Sequence, residues 1–114
     1  GALDSVTNNI YLEFGLGDPN SASFQERISK SIEAVGVKEL LISELKEINW
    51  VESNFKPLEK NLSGSLNQAA FVMQKLRSNM GDVHGTKPVL NALVYDSIKW
   101  SLLILRILVS RSSF

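Results

Sequence analysis

The residue best suited to acid–base or metal chemistry is the single histidine, His84, in the stretch Gly81-Asp82-Val83-His84-Gly85. Asp82 and His84 could both bind one metal ion, but two ligands do not close a site and the sequence offers no third. A serine nucleophile needs a base and an orienting group, and the chain has no Gly-x-Ser-x-Gly motif and no cysteine. We therefore expect His84 to be a solvated loop residue and the chain to hold no metal.

Other patterns that could carry chemistry are incomplete. Gly15-Leu16-Gly17 lacks the third glycine and the following lysine of a phosphate-binding loop. Glu44 and Glu47 lie on an otherwise polar helix face, where carboxylates are ordinarily solvated. Asn61-Leu62-Ser63 matches the glycosylation sequon, but Leu62 also belongs to an apolar helical stripe, so we interpret the match as chance. The sequence predicts no catalytic residues, no cofactor and no enzyme activity.

The charge balance bears on possible partners. The chain has 12 basic and 12 acidic residues and a formal net charge of zero, whereas domains that bind nucleic acid carry a basic excess. Residues 1–60 hold ten acidic and six basic residues, and residues 61–114 hold two and six. This asymmetry predicts halves of complementary sign that pack together; the alternative is a basic C-terminal face that meets an acidic partner or lipid headgroups.

Length and composition predict a single globular domain. The chain has 114 residues, of which 44% are hydrophobic and 21% charged, which is ordinary for one folded unit. Gly1-Ala2 resembles the remnant of a cleaved tag, and we expect residues 3–114 to form one helical domain excised from a larger protein. No basic-then-apolar signal segment opens the chain, which weakly favours an intracellular location.

The N-terminal half predicts helices with one ambiguity. In residues 3–16, Val6, Ile10 and Phe14 recur at helical spacing with Asp4 as a possible N-cap and Gly15 as a stop, yet alternate apolar residues also fit a strand. No other segment could pair with a strand, so we favour a helix. Ser23 to Glu26 matches a capping box, which begins a helix that ends at Gly36. A second helix is predicted from about residue 38 to 54.

The third helix has the most regular apolar pattern, at spacings of four and three residues. Its stripe consists of Leu58, Leu62, Leu66, Ala69, Met73, Leu76 and Met80. Pro57 ends the second helix or opens the third, and Gly81 is expected to cap its C-terminus. Gly64 interrupts the stripe, which leaves open whether the helix is continuous, kinked or begins nearer Ser65.

The last helix is predicted from near Thr86 and Pro88 to about Ser110, and it is apolar on most sides. Asp96, Lys99 and Arg106 would interrupt a membrane span, so we do not expect it to cross a bilayer. A helix of this kind is usually buried in a bundle. Four helices do not easily cover a central one, however, so a surplus apolar face could form an interface.

These patterns together predict an all-α fold, a compact four-helix bundle with a short additional N-terminal element. The predicted function is a protein–protein interaction or self-association module of the adaptor or scaffold type, in which apolar helix surface is buried against a partner helix or a second copy. The alternative is a bundle that binds lipid or a membrane surface. The expected partner-binding residues are Val94, Ile98, Trp100, Leu105 and Val109, with a charged rim of Lys99, Arg106 and Arg111.

Overall fold

The computed structural model describes residues 1–79 and 87–111. Within these ranges the fold is all-α, as the sequence predicts, and contains no strand. The expectations for Met80, Gly81, Asp82, His84 and Thr86 lie outside the described residues. The five helices are α1 (Ala2–Phe14), α2 (Phe24–Ala34), α3 (Val37–Glu47), α4 (Phe55–Asn79) and α5 (Pro88–Arg111), with 3₁₀ turns at Pro19–Ser21 and Glu52–Asn54.

The ambiguous N-terminal segment forms a helix. Leu3, Thr7, Ile10 and Tyr11 are buried, and this set recurs at helical spacing. The helix ends at Gly15, whose φ of 63° places it in the left-handed region that glycine adopts without steric penalty. Asp4 is not the N-cap that the sequence suggested, because the helix already begins at Ala2.

Ser23 begins α2 and Gly36 ends it, as predicted, but only the Ser23 half of the predicted capping box forms, and the Glu26 carboxylate pairs with the Lys30 ammonium at 3.0 Å. The Ser23 hydroxyl accepts a hydrogen bond of 3.1 Å from the Glu26 amide, which satisfies one of the free donors at the helix start. Gly36, at a φ of 74°, turns the chain into α3 directly after the cap residue Val35.

The second predicted helix is shorter than the sequence indicated, because α3 stops at Glu47 rather than near residue 54. Asn49 adopts a φ of 58°, and asparagine tolerates this conformation better than most residues that carry a Cβ. The amides of Asn49 and Trp50 donate to the carbonyls of Lys46 and Leu45, at 3.1 Å each. These bonds satisfy the last helical carbonyls and close the helix.

Helix α4 is continuous through Gly64, which answers the question that the sequence left open. Pro57 is its third residue, so the proline opens this helix; the first turn has no internal acceptor for the amide that proline lacks. Leu66 and Met73 of the predicted stripe are buried, but Leu58 is 36% exposed.

The core joins all five helices. It is built around Leu3 and Ile10 of α1, Ile28 of α2, Val37 of α3, Leu66, Ala70 and Met73 of α4, and Ile104 and Leu108 of α5, with the connecting residue Val35. The molecule measures 47 × 33 × 19 Å. Since a helix with its side chains is about 10 Å across, the shortest dimension corresponds to two helix layers. A helix in a two-layer arrangement keeps one side open to solvent.

The N-terminal element differs from the expected short addition. Helix α1 has 13 residues and contacts both α2 and α5, so it belongs to the main body of the fold. Helix α3 contacts α4 most extensively. The sequence predicted only a short element here, because the alternation of apolar residues also fitted a strand and made the helical spacing of the buried residues less evident.

Candidate interaction surface

The last helix buries little of its apolar surface. Of its 24 residues, only Ile104 and Leu108 are fully buried, both at 0% exposure. Trp100, Leu105 and Ile107 are half-buried against the core. Helix α5 is therefore not the enclosed central helix that its composition suggested. Six of its large apolar side chains are exposed, namely Val89, Tyr95, Ile98, Leu102, Leu103 and Val109.

The exposed apolar residues of α5 form a regular line. Tyr95, Ile98, Leu102, Leu105 and Val109, here called the α5 stripe, are separated by three, four, three and four residues. Tyr95 is 66% exposed, Ile98 60%, Leu102 47% and Val109 43%, while Leu105 is half-buried. This alternation of three and four is the spacing that allows one helix to pack lengthwise on another.

Other exposed apolar residues do not continue this line, including Val89 and Leu103 on α5 itself, which are 73% and 48% exposed. Leu12 and Phe14 lie near the end of α1, and Ile48, Trp50 and Val51 lie in the connection after α3. Single exposed apolar side chains are common on protein surfaces. The spacing of the α5 stripe, rather than exposure itself, distinguishes it.

The two flanks of the α5 stripe differ in charge. In the register set by the stripe, Lys99 and Arg106 follow Ile98 and Leu105 and occupy equivalent positions, seven residues apart, on one flank. The other flank consists of Val94, Ser101 and Leu108, of which the first two are half-buried and the last is fully buried. One flank is thus basic and open, while the other faces the body of the domain.

Few groups neutralise the basic flank. The Lys99 ammonium lies 3.6 Å from the Asp96 carboxylate and 5.2 Å from the centre of the Tyr95 ring. Both partners of this ion pair are at least half exposed, so water screens their attraction. Arg106 is exposed and makes no ion pair within the described ranges. The basic flank is therefore available to an acidic partner.

The structure separates the eight predicted partner-binding residues into three groups. Ile98, Leu105 and Val109 lie on the α5 stripe, and Lys99 and Arg106 lie on its basic flank. Val94 lies on the opposite flank, and Trp100 turns away from the stripe towards α4. Arg111 has a structural contact instead, because its Nε donates a 3.0 Å hydrogen bond to the carbonyl of Val35.

The partner-binding residues predicted from the sequence include neither Leu102 nor Tyr95. Both occupy the stripe positions on either side of Ile98. The signal was present in the sequence, since the three-four spacing continues from residue 95 to residue 109. The uniformly apolar composition of the helix hid it, because no single stripe stands out when most sides are apolar.

A groove of about 730 Å³ lies between α4 and α5, and Leu103, which lines it, is four residues after Lys99 and three before Arg106. Small residues of α4, including Gly64, Ser65 and Ala69, line one wall, and Trp100 and Leu103 line the other. No atom lies within 4 Å of the position that a Cβ on Gly64 would take. The gap limits the packing of α5 on α4 and contributes to the exposure of α5.

A buried acidic residue of α4 has partners within the fold. Glu59, which is 8% exposed, lies 3.8 Å from the Lys38 ammonium and accepts a hydrogen bond from Ser63. Glu44 and Glu47 are both exposed. No group of three or more histidine or acidic side chains in residues 1–79 and 87–111 could hold a metal ion.

Comparisons with protein-family models, curated proteins and solved structures give no match to this chain. Among the helices in the described part of the chain, none combines the length and apolar character needed to cross a membrane.

Proposed function

We propose that this chain is a protein–protein interaction module that binds an apolar helix along the α5 stripe. The observation that carries the proposal is the exposure of Tyr95, Ile98 and Leu102 at the spacing of a helix-packing seam. Helix-in-groove recognition uses apolar anchors at such positions. The domain positions α5 by anchoring Ile104 and Leu108 in its core, and thereby presents the opposite side of the helix to a partner.

The energetics favour reversible binding. Full burial of a fully exposed large apolar side chain contributes about 1.5–3 kcal/mol. The four exposed residues of the α5 stripe are 43–66% exposed, so each offers about half of that gain. Association also costs about 4–15 kcal/mol in lost translational and rotational freedom, which offsets the free energy gained by burial. A partner that contacts this one helix alone would therefore bind and dissociate readily.

The architecture that we propose for this module is a four-helix bundle of α1, α2, α4 and α5, with α3 as the additional element. Contacts between α1 and α2, α2 and α4, α4 and α5, and α5 and α1 support a closed ring. The proposed architecture is still a four-helix bundle with one additional element, but that element is α3 and not the N-terminal segment.

The proposal is tested by measuring the mass of the chain in solution and its binding to a designed helix. The probe is a labelled amphipathic peptide with leucine at the seam positions and glutamine at the flanks, titrated by fluorescence anisotropy. We expect concentration-dependent self-association or saturable peptide binding, either of which Ile98→Glu with Leu102→Glu should abolish. The matched control is Leu12→Glu, an exposed apolar residue on α1. A monomer that binds no peptide would refute the proposal.

A lipid surface is the second candidate partner, and the open basic flank of Lys99 and Arg106 favours it. Sedimentation with vesicles rich in anionic lipid at low salt tests this alternative. Binding that disappears in Lys99→Glu with Arg106→Glu would support it. Absence of binding at low salt would eliminate it.

A further inference from the structure

We infer that the partner of the α5 stripe is an amphipathic helix with acidic residues along its flank, and not a second copy of this chain. The inference rests on the proposed function and specifies the chemistry of its partner. It derives from the relative placement of the stripe, its basic flank and the body of the domain.

The register places both basic residues where a partner helix would meet them. When two helices pack along a three-four seam, the residues that flank the seam face the flanks of the partner. Lys99 and Arg106 occupy the same flanking position in successive heptads. Two acidic residues that are also seven apart on the partner would therefore meet both cations at once.

An antiparallel pairing of two copies is disfavoured by charge. In that arrangement each flank of α5 lies against the same flank of the other copy. Lys99 and Arg106 would then face the Lys99 and Arg106 of the second chain, and like charges at such positions are destabilising. The ion pair with Asp96 does not remove this repulsion, because it engages Lys99 alone.

A parallel pairing of two copies would give the basic flank no counter-charge. It would bring the basic flank of one α5 against the opposite flank of the other. That opposite flank contains Leu108, which is fully buried, and Ser101, whose hydroxyl donates to the Ser97 carbonyl at 3.0 Å and lies 3.2 Å from the Met73 sulfur. Neither these residues nor Val94, the third member of that flank, carries an acidic group, so a parallel pairing would leave Lys99 and Arg106 without counter-charges.

The regular spacing favours a helix over a lipid surface. Apolar helices that lie in a membrane interface have a broad apolar face and a strongly polar opposite face. On α5, by contrast, the exposed apolar residues are not confined to one face, because Leu103 is 48% exposed and lies on the far side of the basic flank from the α5 stripe. Asp96 also lies one helical turn before Lys99 on the exposed side. An anionic bilayer would repel that carboxylate, whereas a partner helix can avoid it.

The test compares three peptides with identical leucine seams and with glutamate, glutamine or lysine at all flanking positions. Identical flanks on both sides make the result independent of peptide orientation. We expect the glutamate peptide to bind about two- to fivefold more tightly than the glutamine peptide, from two ion pairs of modest strength, and the lysine peptide to bind weakest. High salt should reduce the differences in affinity among the three peptides.

Charge reversal provides the decisive comparison. In Lys99→Glu with Arg106→Glu we expect the order of the three peptides to invert. Lys46→Glu with Lys56→Glu, which changes the net charge equally at exposed positions on α3 and α4, should leave the order unchanged. Urea unfolding of both double variants confirms that they remain folded.

The outcomes separate this inference from the proposed function. Equal affinity for all three peptides would overturn the acidic partner and leave the helix-binding function intact. A stable dimer that Leu102→Glu dissociates would overturn the inference in favour of self-association. If no peptide binds and the chain is monomeric, the proposed function itself fails; vesicle binding in that case would identify a lipid surface as the partner.

Discussion

Asp4 in α1 and Arg77 in α4, which are 73 residues apart, are joined by a 3.0 Å hydrogen bond between the Asp4 Oδ2 and the Arg77 Nη2. Arg27 of α2 binds the other oxygen of the same carboxylate at 2.6 Å. Both guanidinium groups also lie over the ring of Phe24, at 4.2 Å for Arg77 and 5.9 Å for Arg27. One carboxylate therefore connects three helices.

We predict that Asp4→Asn destabilises the fold by about 1.5–3 kcal/mol, the range for hydrogen bonds to charged groups. The side chain of Arg27 is only 15% exposed, and it would lose its carboxylate partner. Urea unfolding at neutral pH measures the effect. The matched control is Asp96→Asn, which removes an exposed ion pair on α5 and should change stability by less than about 1 kcal/mol.

The same carboxylate predicts a dependence of stability on pH. Burial raises the pKa of Asp4, but the hydrogen bonds and charges of Arg77 and the N-terminal ammonium outweigh it, so the pKa lies below its ordinary value of 3.8. A group whose pKa is lowered by folding stabilises the fold above its ordinary pKa, and this contribution is lost as the pH falls through the lowered value. The unfolding free energy of Asp4→Asn should therefore fall less at acid pH than that of the unsubstituted protein. Parallel acid curves for the two proteins would contradict the prediction.

We predict that Gly64→Ala stabilises the protein by about 1 kcal/mol. The glycine lies inside α4 with open space around the position of a Cβ, so alanine gains helix propensity without a clash. Gly36→Ala is the matched contrast, and it should destabilise, because Gly36 has a φ of 74°. Thermal and urea unfolding of both variants measure the difference, and a loss of stability in Gly64→Ala would show that the groove does not tolerate a methyl group.

We predict that Tyr11→Phe does not destabilise the fold and raises its unfolding free energy by about 1 kcal/mol. The Tyr11 hydroxyl is buried and has no hydrogen-bond partner among the described residues, and such a group carries a desolvation penalty. Tyr95→Phe, at a position that is 66% exposed, is the matched control and should be neutral. Destabilisation by Tyr11→Phe would reveal a bond to the hydroxyl.

Burial also raises the pKa of Tyr11 above its ordinary value of 10.0. Because the folded pKa exceeds the unfolded one, the folded state retains the proton longer, and the unfolding free energy falls as the pH rises above 10.0. Tyr11→Phe should remove this alkaline component, whereas Tyr95→Phe should retain it. Urea unfolding in steps from about pH 9 to about pH 11 measures the slope.

We predict opposite phenotypes for two arginines of α5. Arg111→Gln should lower stability by about 1 kcal/mol, because it removes the hydrogen bond to the carbonyl of Val35 after α2. Arg106→Gln should leave stability within about 0.5 kcal/mol, since Arg106 is exposed, and should weaken binding of the glutamate peptide. Chemical unfolding and anisotropy titration of the same two variants test both statements. Equal stability loss in the two would mean that Arg106 has a structural role.

Local signals in the sequence predicted much of the fold. Ser23 as a cap, Gly15 and Gly36 as stops and Pro57 as a helix opener all act through the backbone of their own turn. The end of α3 escaped prediction, because Asn49 adopts a left-handed conformation that its residue type permits but does not require. The heptad spacing of the α5 stripe was readable in the sequence, whereas the exposure of that stripe was not.

The sequence by itself therefore determined the helical class, most helix boundaries and the presence of more apolar surface on α5 than a small bundle can cover. These properties depend on residues within a few positions of one another, through hydrogen-bonded caps and side-chain periodicity. The tertiary structure decided which side of α5 is buried, that Arg111 binds the Val35 carbonyl and that Lys99 and Arg106 remain open. Those outcomes depend on contacts between helices that are distant in the sequence. Several helices compete for the same apolar surface, and no local sequence pattern indicates which of them will cover it.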